Sequence, residues 1–479
     1  MGAVADGLPA ARIATCYDTP DFALRRQGLV LSIGEEGGRF VQRVTAPADG
    51  AWEDEIAENR PDPAAPHSGP RLPPGIGDRL RPVFAAEVTR TRIVIASPPA
   101  VRIAAVIEEG EIGTAEAAEP VGEIALTLER GTAAALYDLA LRLLATAPLM
   151  IETRSRTERG YRLIAGTAAG AAAVSGRPLP PLAGLGCGEA LRWVVRAALL
   201  RCLRNEPAAL AGCAEGVRRM RVALRWLRSA LAAFGKALPA DDRHFIRDEI
   251  ARLNTVLAPV RTLDVLLCEL LPPVRAALGD PDPLGAMLAW ARRAAHDRLA
   301  DHLRSPRHGA AMLRLLRRVE GGGAAASAET LDARLPALID RRFRVVKKCG
   351  KGFRRQTPRA RHRLRIAVKK LRYTLGLSGE LSGGSPASRE FVKELRRLQD
   401  GLGYANDVAF AGKVLRRLCA EAEPAGRLAR AGLLLLDWHR RALAETEREL
   451  RDSLSRLKWS PRFWRAAEIS RRPRPRPDR

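Results

Sequence analysis

The spacing of hydrophobic residues changes once along the chain, and this change divides the sequence into two parts. Up to about residue 163, apolar and polar residues alternate in short segments such as Arg39-Phe-Val-Gln-Arg-Val, separated by Gly, Pro and Asp. This alternation is typical of half-buried β-strands. From about residue 187 onward, apolar residues recur every three or four positions, as on one face of a helix. The pattern predicts a multidomain α+β protein in which a β-rich part precedes an all-helical part.

The boundaries of these parts follow from the composition between them. The segment between the two patterns is rich in small residues and proline, as linkers are, and a second small-residue segment divides the helical part. The chain ends in alternating Arg and Pro, which cannot form a helix. The sequence therefore predicts a β-rich domain at 1–163, a linker at 164–186, a helical domain at 187–465 with halves at about 187–320 and 329–460, and a disordered basic tail at 466–479.

The helical periodicity also predicts individual helices. We expect them at about 188–205, 215–235, 241–257, 260–272, 283–304, 307–319, 329–350, 358–378, 387–403, 405–421 and 426–456.

An internal repeat occupies the helical part. Glu215–Leu231 reads EGVRRMRVALRWLRSAL and Arg359–Leu375 reads RARHRLRIAVKKLRYTL, and the two align at a separation of 144 residues. Each copy is followed by a similar second segment, LNTVLAPVRTLDV from Leu253 and LQDGLGYANDV from Leu398. Duplication of a helical unit predicts two pseudo-symmetric bundles that face each other.

The positive charge of the protein is confined to the helical part. The formal net charge is +26, but residues 1–170 hold 18 basic against 23 acidic side chains, and the remainder holds 62 against 31. A GC-rich genome would favour Arg over Lys throughout, but it would not produce this division. The asymmetry predicts a polyanionic partner for the helical part.

Each copy of the repeat places cations at offsets of 0, 3, 7 and 10, which is a narrow arc of a helix. We call these sets the first stripe (Arg218, Arg221, Arg225 and Arg228) and the second stripe (His362, Arg365, Lys369 and Arg372, with Lys370 beside it). On another side of the same helix, Leu364, Val368, Leu371 and Leu375 form an apolar face that can pack on the core. Because like charges one turn apart repel each other, the stripes favour an anion lying along them, and guanidinium groups fit phosphate oxygens.

Two other interpretations of the stripes stay open. Most charge runs are solvated helix faces, although the duplication and equal spacing argue against this. Nucleic acid is the other polyanion, but Trp226 and Tyr373 are the only rings in or beside the stripes, and motifs of RNA-binding modules are absent.

The segments VRRMRVALRWLRSAL, HRLRIAVKKLRYTL and LQDGLGYANDV resemble the conserved histidine α-helical domain, CHAD, across roughly residues 180–465. This resemblance implies two antiparallel four-helix bundles around a basic channel that binds inorganic polyphosphate. It carries both stripes over as phosphate-binding residues, with Arg218 at the position of a family histidine. Asp264 and Asp407 are expected either to orient the basic side chains or to cap helices, and Tyr373 is expected to support them.

The N-terminal part resembles the CYTH family of triphosphate tunnel metalloenzymes. The matching segments are CYDTPDFALRRQGLVL at Cys16, RPVFAAEVTRTR at Arg81, EPVGEIALTLERG at Glu119 and RTERGYRL at Arg156. The resemblance implies an antiparallel tunnel barrel of eight strands, with inward Glu residues for Mg²⁺ and inward basic residues for phosphate.

This part departs from the CYTH pattern where the metal would bind. The opening strand with its ExExK motif is missing, so we expect an incomplete barrel. Three positions that share one strand face read Glu123, Ala125 and Thr127, so two of three carboxylates are absent. A hard cation needs several oxygen ligands. We therefore expect a degenerate CYTH-like domain without a catalytic site, whose remnants are Glu123, Arg25, Arg90, Arg92 and Arg156.

The sequence as a whole predicts a non-catalytic polyphosphate-binding protein. The first alternative is an inorganic triphosphatase or polyphosphate-processing enzyme of the CYTH type, which alone would need Mg²⁺ or Mn²⁺. The second is a nucleic-acid-associated basic protein. We expect no metal site and no cofactor otherwise. The seven scattered cysteines and the lack of an apolar run long enough to span a bilayer favour a cytoplasmic protein without membrane contact, associated with polyphosphate granules if the resemblance holds. The oligomeric state cannot be read from the sequence.

Overall fold

The protein forms two compact units, Met1–Ala173 and Val174–Arg479, in a computed structural model. The predicted tail at 466–479 and several positions of the predicted linker lie outside the residues that the structure describes. The described residues are 2–5, 7–36, 38–46, 50–62, 72–73, 75–97, 100–166, 172–175, 179–180, 182–278, 282–321, 329–377, 385–422 and 426–465.

The first unit is built on one antiparallel sheet, as predicted. Its strands are β1 (Gly2–Ala5), β2 (Ala10–Asp18), β3 (Val30–Glu36), β4 (Arg39–Ala46), β5 (Gly50–Ile56), β6 (Arg81–Ser97), β7 (Val101–Gly113) and β8 (Ala118–Arg130). The spatial order is β5-β4-β3-β2-β6-β7-β8, and β1 pairs with β6.

Two expectations for this sheet need correction. Within the described residues β5 and β8 are unpaired edge strands, so the sheet is open and does not close into a tunnel. A strand does precede the Tyr17-Asp18 segment, namely β1, but its sequence Gly-Ala-Val-Ala carries none of the acidic residues of the ExExK motif.

The described part of this unit also contains the helices α1 (Ala23–Arg26), α2 (Ala133–Thr146) and α3 (Arg156–Ile164). Helix α3 packs closely on the sheet because Gly160 leaves room for the ring of Phe84, which a Cβ atom would approach to 2.4 Å. Tyr161 stacks edge-to-face on the same ring, with centroids 5.4 Å apart, and donates a hydrogen bond to the buried Asp18 at 2.7 Å. The contact fixes α3 over β6 and β7.

The second unit is helical. Its helices are α4 (Cys187–Leu203), α5 (Glu206–Leu210), α6 (Ala214–Phe234), α7 (Ala240–Val265), α8 (Arg275–Leu278), α9 (Pro283–Arg304), α10 (Pro306–Glu320), α11 (Leu331–Cys349), α12 (Pro358–Leu375), α13 (Pro386–Ala422) and α14 (Arg427–Trp459). Each long helix packs on its neighbour in sequence within a half, and α6 contacts α12 across the halves. None of the helices in the described ranges is long and apolar enough to cross a membrane.

Two pairs of predicted helices are single helices in the structure. Helix α7 runs through Pro259, where a break was predicted, so the ring interrupts one backbone hydrogen bond without ending the helix. Helix α13 runs through position 404, where the other break was predicted, and contains Gly401 and Gly403. A Cβ atom at Gly401 would come within 2.5 Å of Leu450 on α14, so this glycine permits close helix packing.

The two stripe helices are held by their apolar faces. On α12 the predicted core face is confirmed, since Leu364, Val368, Leu371 and Leu375 are at most 1% exposed. Thr357 caps the start of α12, accepting a hydrogen bond from the backbone N–H of Ala360 at 3.3 Å. The cationic face of α12 lies beside this buried face, and its residues Arg365 and Lys369 meet residues of α6.

Candidate anion-binding cleft

The two stripes meet across a cleft of about 360 Å³ between the halves of the helical unit. Helix α6 contributes Arg218, Arg221 and Arg225, and α12 contributes Arg365 and Lys369. The remaining lining residues come from α7, the turn after it, and α13: Arg261, Thr262, Val265, Leu266, Glu269, Leu270, Gln399, Asp400, Gly403, Tyr404, Asp407, Phe410 and Ala411. We call this site the cationic cleft.

The cations of the cleft are close enough to change one another's protonation. Burial, with the charges of Arg365 and Arg225 beside it, lowers the pKa of Lys369 to about 7. Burial, with the charges of Arg225 and Arg261, also lowers the pKa of Arg221 to about 10. Both lowered pKa values have the same cause. Positive charges held close together and away from water, with no anion between them, are unfavourable.

The deep guanidinium groups also have donors without a partner among the described residues. Buried nitrogens that make no hydrogen bond there include Nε and Nη1 of Arg221, Nε of Arg225 and Nε of Arg365. A buried donor that makes no hydrogen bond costs about 1–3 kcal/mol of stability, and more if the donor is charged. An anion with several oxygens would satisfy these donors.

Acidic side chains neutralise part of the cleft. Asp407 lies 3.7 Å from Nη2 of Arg365, and Glu269 lies 2.6 Å from Nη2 of Arg261. At the rim, Glu215 pairs with Arg218 at 2.5 Å.

Four predicted phosphate-binding residues lie outside the cleft lining. Arg228 and Lys370 are exposed. His362 is exposed and shares a 2.7 Å hydrogen bond between its Nδ1 and Oδ1 of Asn406. Arg372 lies over the ring of the buried Tyr373, with its guanidinium carbon 5.2 Å from the centroid, so Tyr373 contacts a stripe residue as expected.

The two predicted supporting aspartates differ from each other. Asp407 lies within α13, and its Oδ1 is 3.7 Å from Nη2 of Arg365. Asp264 is completely buried and pairs instead with Nε of Arg292 on α9, at 2.7 Å. Both lie inside helices away from the N-terminus, so the alternative that they cap helices is wrong.

Sequence reasoning missed Arg261 and Tyr404. Arg261 precedes Asp264 by three residues and Tyr404 precedes Asp407 by three, so the repeated second segment marks both positions. The Tyr404 hydroxyl donates to Nδ1 of His439 on α14 at 2.5 Å, and His439 Nε2 donates to the carbonyl oxygen of Leu270 at 2.7 Å. The carbonyl can only accept, which fixes these donor and acceptor roles in the neutral imidazole.

The predicted remnants of the sheet unit form ion pairs there. Glu123 pairs with Arg159 of α3, which also contacts Glu119 at 2.6 Å. Arg90 and Arg156 both face the buried Glu108, at 3.7 Å and 3.3 Å.

The other two remnants have partners as well. Arg92 pairs with Glu129, and Arg25 lies over the Tyr161 ring at 4.6 Å. No group of three or more His, Cys, Asp and Glu residues in the described part of the chain is placed to hold a metal ion. With Arg159 on both Glu119 and Glu123, these residues do not fit a divalent cation.

The fold and the site define the protein as one with a helical unit in which cations from two repeated helices converge. Comparison with protein families places a CHAD domain at residues 194–416, so the predicted CHAD domain is confirmed. A solved structure, the CHAD domain from the plant Ricinus communis, is similar at 26% identity with a TM-score of 0.50, over 60% of this chain and 99% of that one.

A second solved structure is PptA from Streptomyces chartreusis, at 20% identity and a TM-score of 0.44 over 57% of this chain and 99% of that one. That similarity is too low to bear on the function of this chain. The family match begins after the sheet unit, so the CYTH interpretation of residues 1–163 stays a prediction.

Proposed function

We propose that the protein binds inorganic polyphosphate in the cationic cleft and catalyses no reaction on it. The observation that carries the proposal is the convergence of Arg221, Arg225, Arg365 and Lys369. The three arginines have buried nitrogen donors that make no hydrogen bond within the described residues. A linear anion with a charge on every phosphate offers these donors oxygens in series. Charge-assisted hydrogen bonds of this kind are roughly twice as strong as neutral ones.

The rest of the molecule has a supporting role in this proposal. The helical unit is two pseudo-symmetric four-helix bundles whose stripes line a channel, and the stripe residues outside the cleft extend its basic path. The sheet unit is a degenerate CYTH-like domain with an open sheet. Its Glu119 and Glu123 form ion pairs with Arg159, so the unit gives structural or accessory support without triphosphatase chemistry. The protein acts in the cytoplasm.

Competition binding tests the proposal against nucleic acid. Labelled long-chain polyphosphate would be bound to the full chain at about 0.15 M salt, then challenged with unlabelled polyphosphate, DNA or RNA at equal phosphate concentration. Polyphosphate is expected to displace the label, and the nucleic acids are expected to do so only weakly. Equal displacement by DNA or RNA would assign the cleft to nucleic acid.

A further inference from the structure

One cation of the cleft already has a closely placed counter-ion. Arg261, near the end of α7, is mostly buried, and its Nη2 lies 2.6 Å from Oε1 of Glu269. Both residues line the cleft. This pairing contrasts with Arg221, whose Nε and Nη1 have no partner among the described residues. An anion that uses Arg261 must therefore compete with a carboxylate, whereas one that uses Arg221 need not.

The pairing depends on a local departure from α-helical geometry. Glu269 lies eight residues after Arg261, and in a helix with 3.6 residues per turn it would be rotated about 80° away. The backbone over Leu266–Leu270 forms a wider π-helical turn instead. This turn brings Glu269 back onto the face of Arg261. Such turns are rare and occur frequently at functional sites.

The π-helical turn is fixed from the opposite half of the unit. Its last residue, Leu270, accepts the 2.7 Å hydrogen bond from the buried His439, which in turn accepts from Tyr404. Tyr404 and Leu270 both line the cleft. The backbone that carries Glu269 is thus fixed by contacts from α13 and α14, and its half-exposed side chain is held by the ion pair with Arg261.

We propose that Glu269 is a resident counter-ion that competes with the phosphate chain for Arg261 and so limits the affinity of the cleft. This inference rests on the proposed function. Glu269 acts through Arg261: when phosphate binds there, the ion pair breaks, and the freed carboxylate lies near the anion. The affinity of the cleft for polyphosphate is then lower than it would be without the Glu269 carboxylate, and polyphosphate dissociates faster.

The test compares polyphosphate binding by the full chain with that of Glu269→Gln. The variant is expected to bind about 1.5- to fivefold more tightly, the range that corresponds to the loss of one partly exposed ion pair. Its salt dependence should also be steeper by about one unit, because the wild-type carboxylate takes up a cation when phosphate displaces it and glutamine does not. Glu269→Asp, which keeps the charge, should restore wild-type behaviour.

Two further variants separate competition from a general change of charge. Glu421→Gln removes an exposed carboxylate paired with Arg417 on α13, and it should leave both quantities unchanged. In an Arg261→Gln background the gain from Glu269→Gln should be smaller, since no ion pair remains to be broken. If wild-type protein binds polyphosphate but Glu269→Gln binds equally or more weakly with an unchanged salt slope, the inference is wrong. If wild-type protein does not bind at all, the proposed function has failed instead.

Discussion

Replacement of Arg221 by Met should stabilise the free protein and weaken its binding of polyphosphate. Arg221 is the cleft arginine with the most unpaired buried nitrogens among the described residues. Burial and neighbouring cations lower its pKa from 12.5 to about 10. A difference of that size corresponds to about 3 kcal/mol at 1.36 kcal/mol per pKa unit, and partial solvent screening reduces it to about 1–3 kcal/mol. Methionine keeps much of the apolar stem without the charge.

The same substitution removes charge-assisted hydrogen bonds to the anion. At about 1.5–3 kcal/mol for a hydrogen bond to a charged group, affinity for polyphosphate should fall by about ten- to a hundredfold. The apparent melting temperature of the helical unit should rise by several degrees. Stability and binding are expected to change in opposite directions because the charges that bind the ligand destabilise the free protein.

Thermal melting by far-ultraviolet circular dichroism, together with a binding titration, measures both effects. Arg417→Met is the matched control, because Arg417 is exposed on α13 and pairs only loosely with Glu421, at 3.4 Å. It should change neither quantity appreciably. An Arg221→Met protein that melts below the wild type, or that binds polyphosphate normally, would refute the reasoning.

Two further predictions concern pH and catalysis. Because Lys369 titrates near pH 7 in the free protein and bound phosphate would favour its charged form, affinity for long-chain polyphosphate should fall as the pH rises from 6 to 9. Lys369→Gln should flatten this fall, and an equal fall in the variant would contradict the assignment. Stability should change in the opposite direction, since the unfolded lysine keeps its proton up to about 10.5 and the folded state gains as pH rises between these values. Hydrolysis of tripolyphosphate with Mg²⁺ or Mn²⁺ should stay near background, and turnover of about 1 s⁻¹ or more would restore the triphosphatase interpretation.

The sequence was informative where local periodicity determines structure. The apolar face of α12 and the cationic positions Arg221, Arg225, Arg365 and Lys369 followed from helical spacing alone. The helix breaks predicted at 258–259 and at 404 are absent from the structure, because tertiary packing overrides local propensity. The close approach of Leu450 on α14 explains why position 401 is a glycine. This contact joins two distant segments of the chain, so the local sequence does not reveal it.

The extent of the site could not be predicted in the same way. A helical wheel treats all turns of a stripe equally, but two crossing helices approach closely over only part of their length. The central residues therefore meet in the cleft, while Arg228 and His362 lie at exposed positions outside it. The contribution of Arg261 and Glu269 depends on a π-helical turn fixed by His439, 169 residues from Leu270, and no local pattern indicates it.

The salt dependence of polyphosphate binding by Arg365→Ala/Lys369→Ala tests the central claim most directly, because it counts contacts between the cleft and the anion. Single-stranded polyanions show a slope of about −0.7 per contact in a plot of log affinity against log salt. If both side chains contact phosphate, the double variant should stay folded, bind more weakly and show a slope flatter by about one to two units. A folded double variant with wild-type affinity and slope would mean that the stripes are only a solvated face.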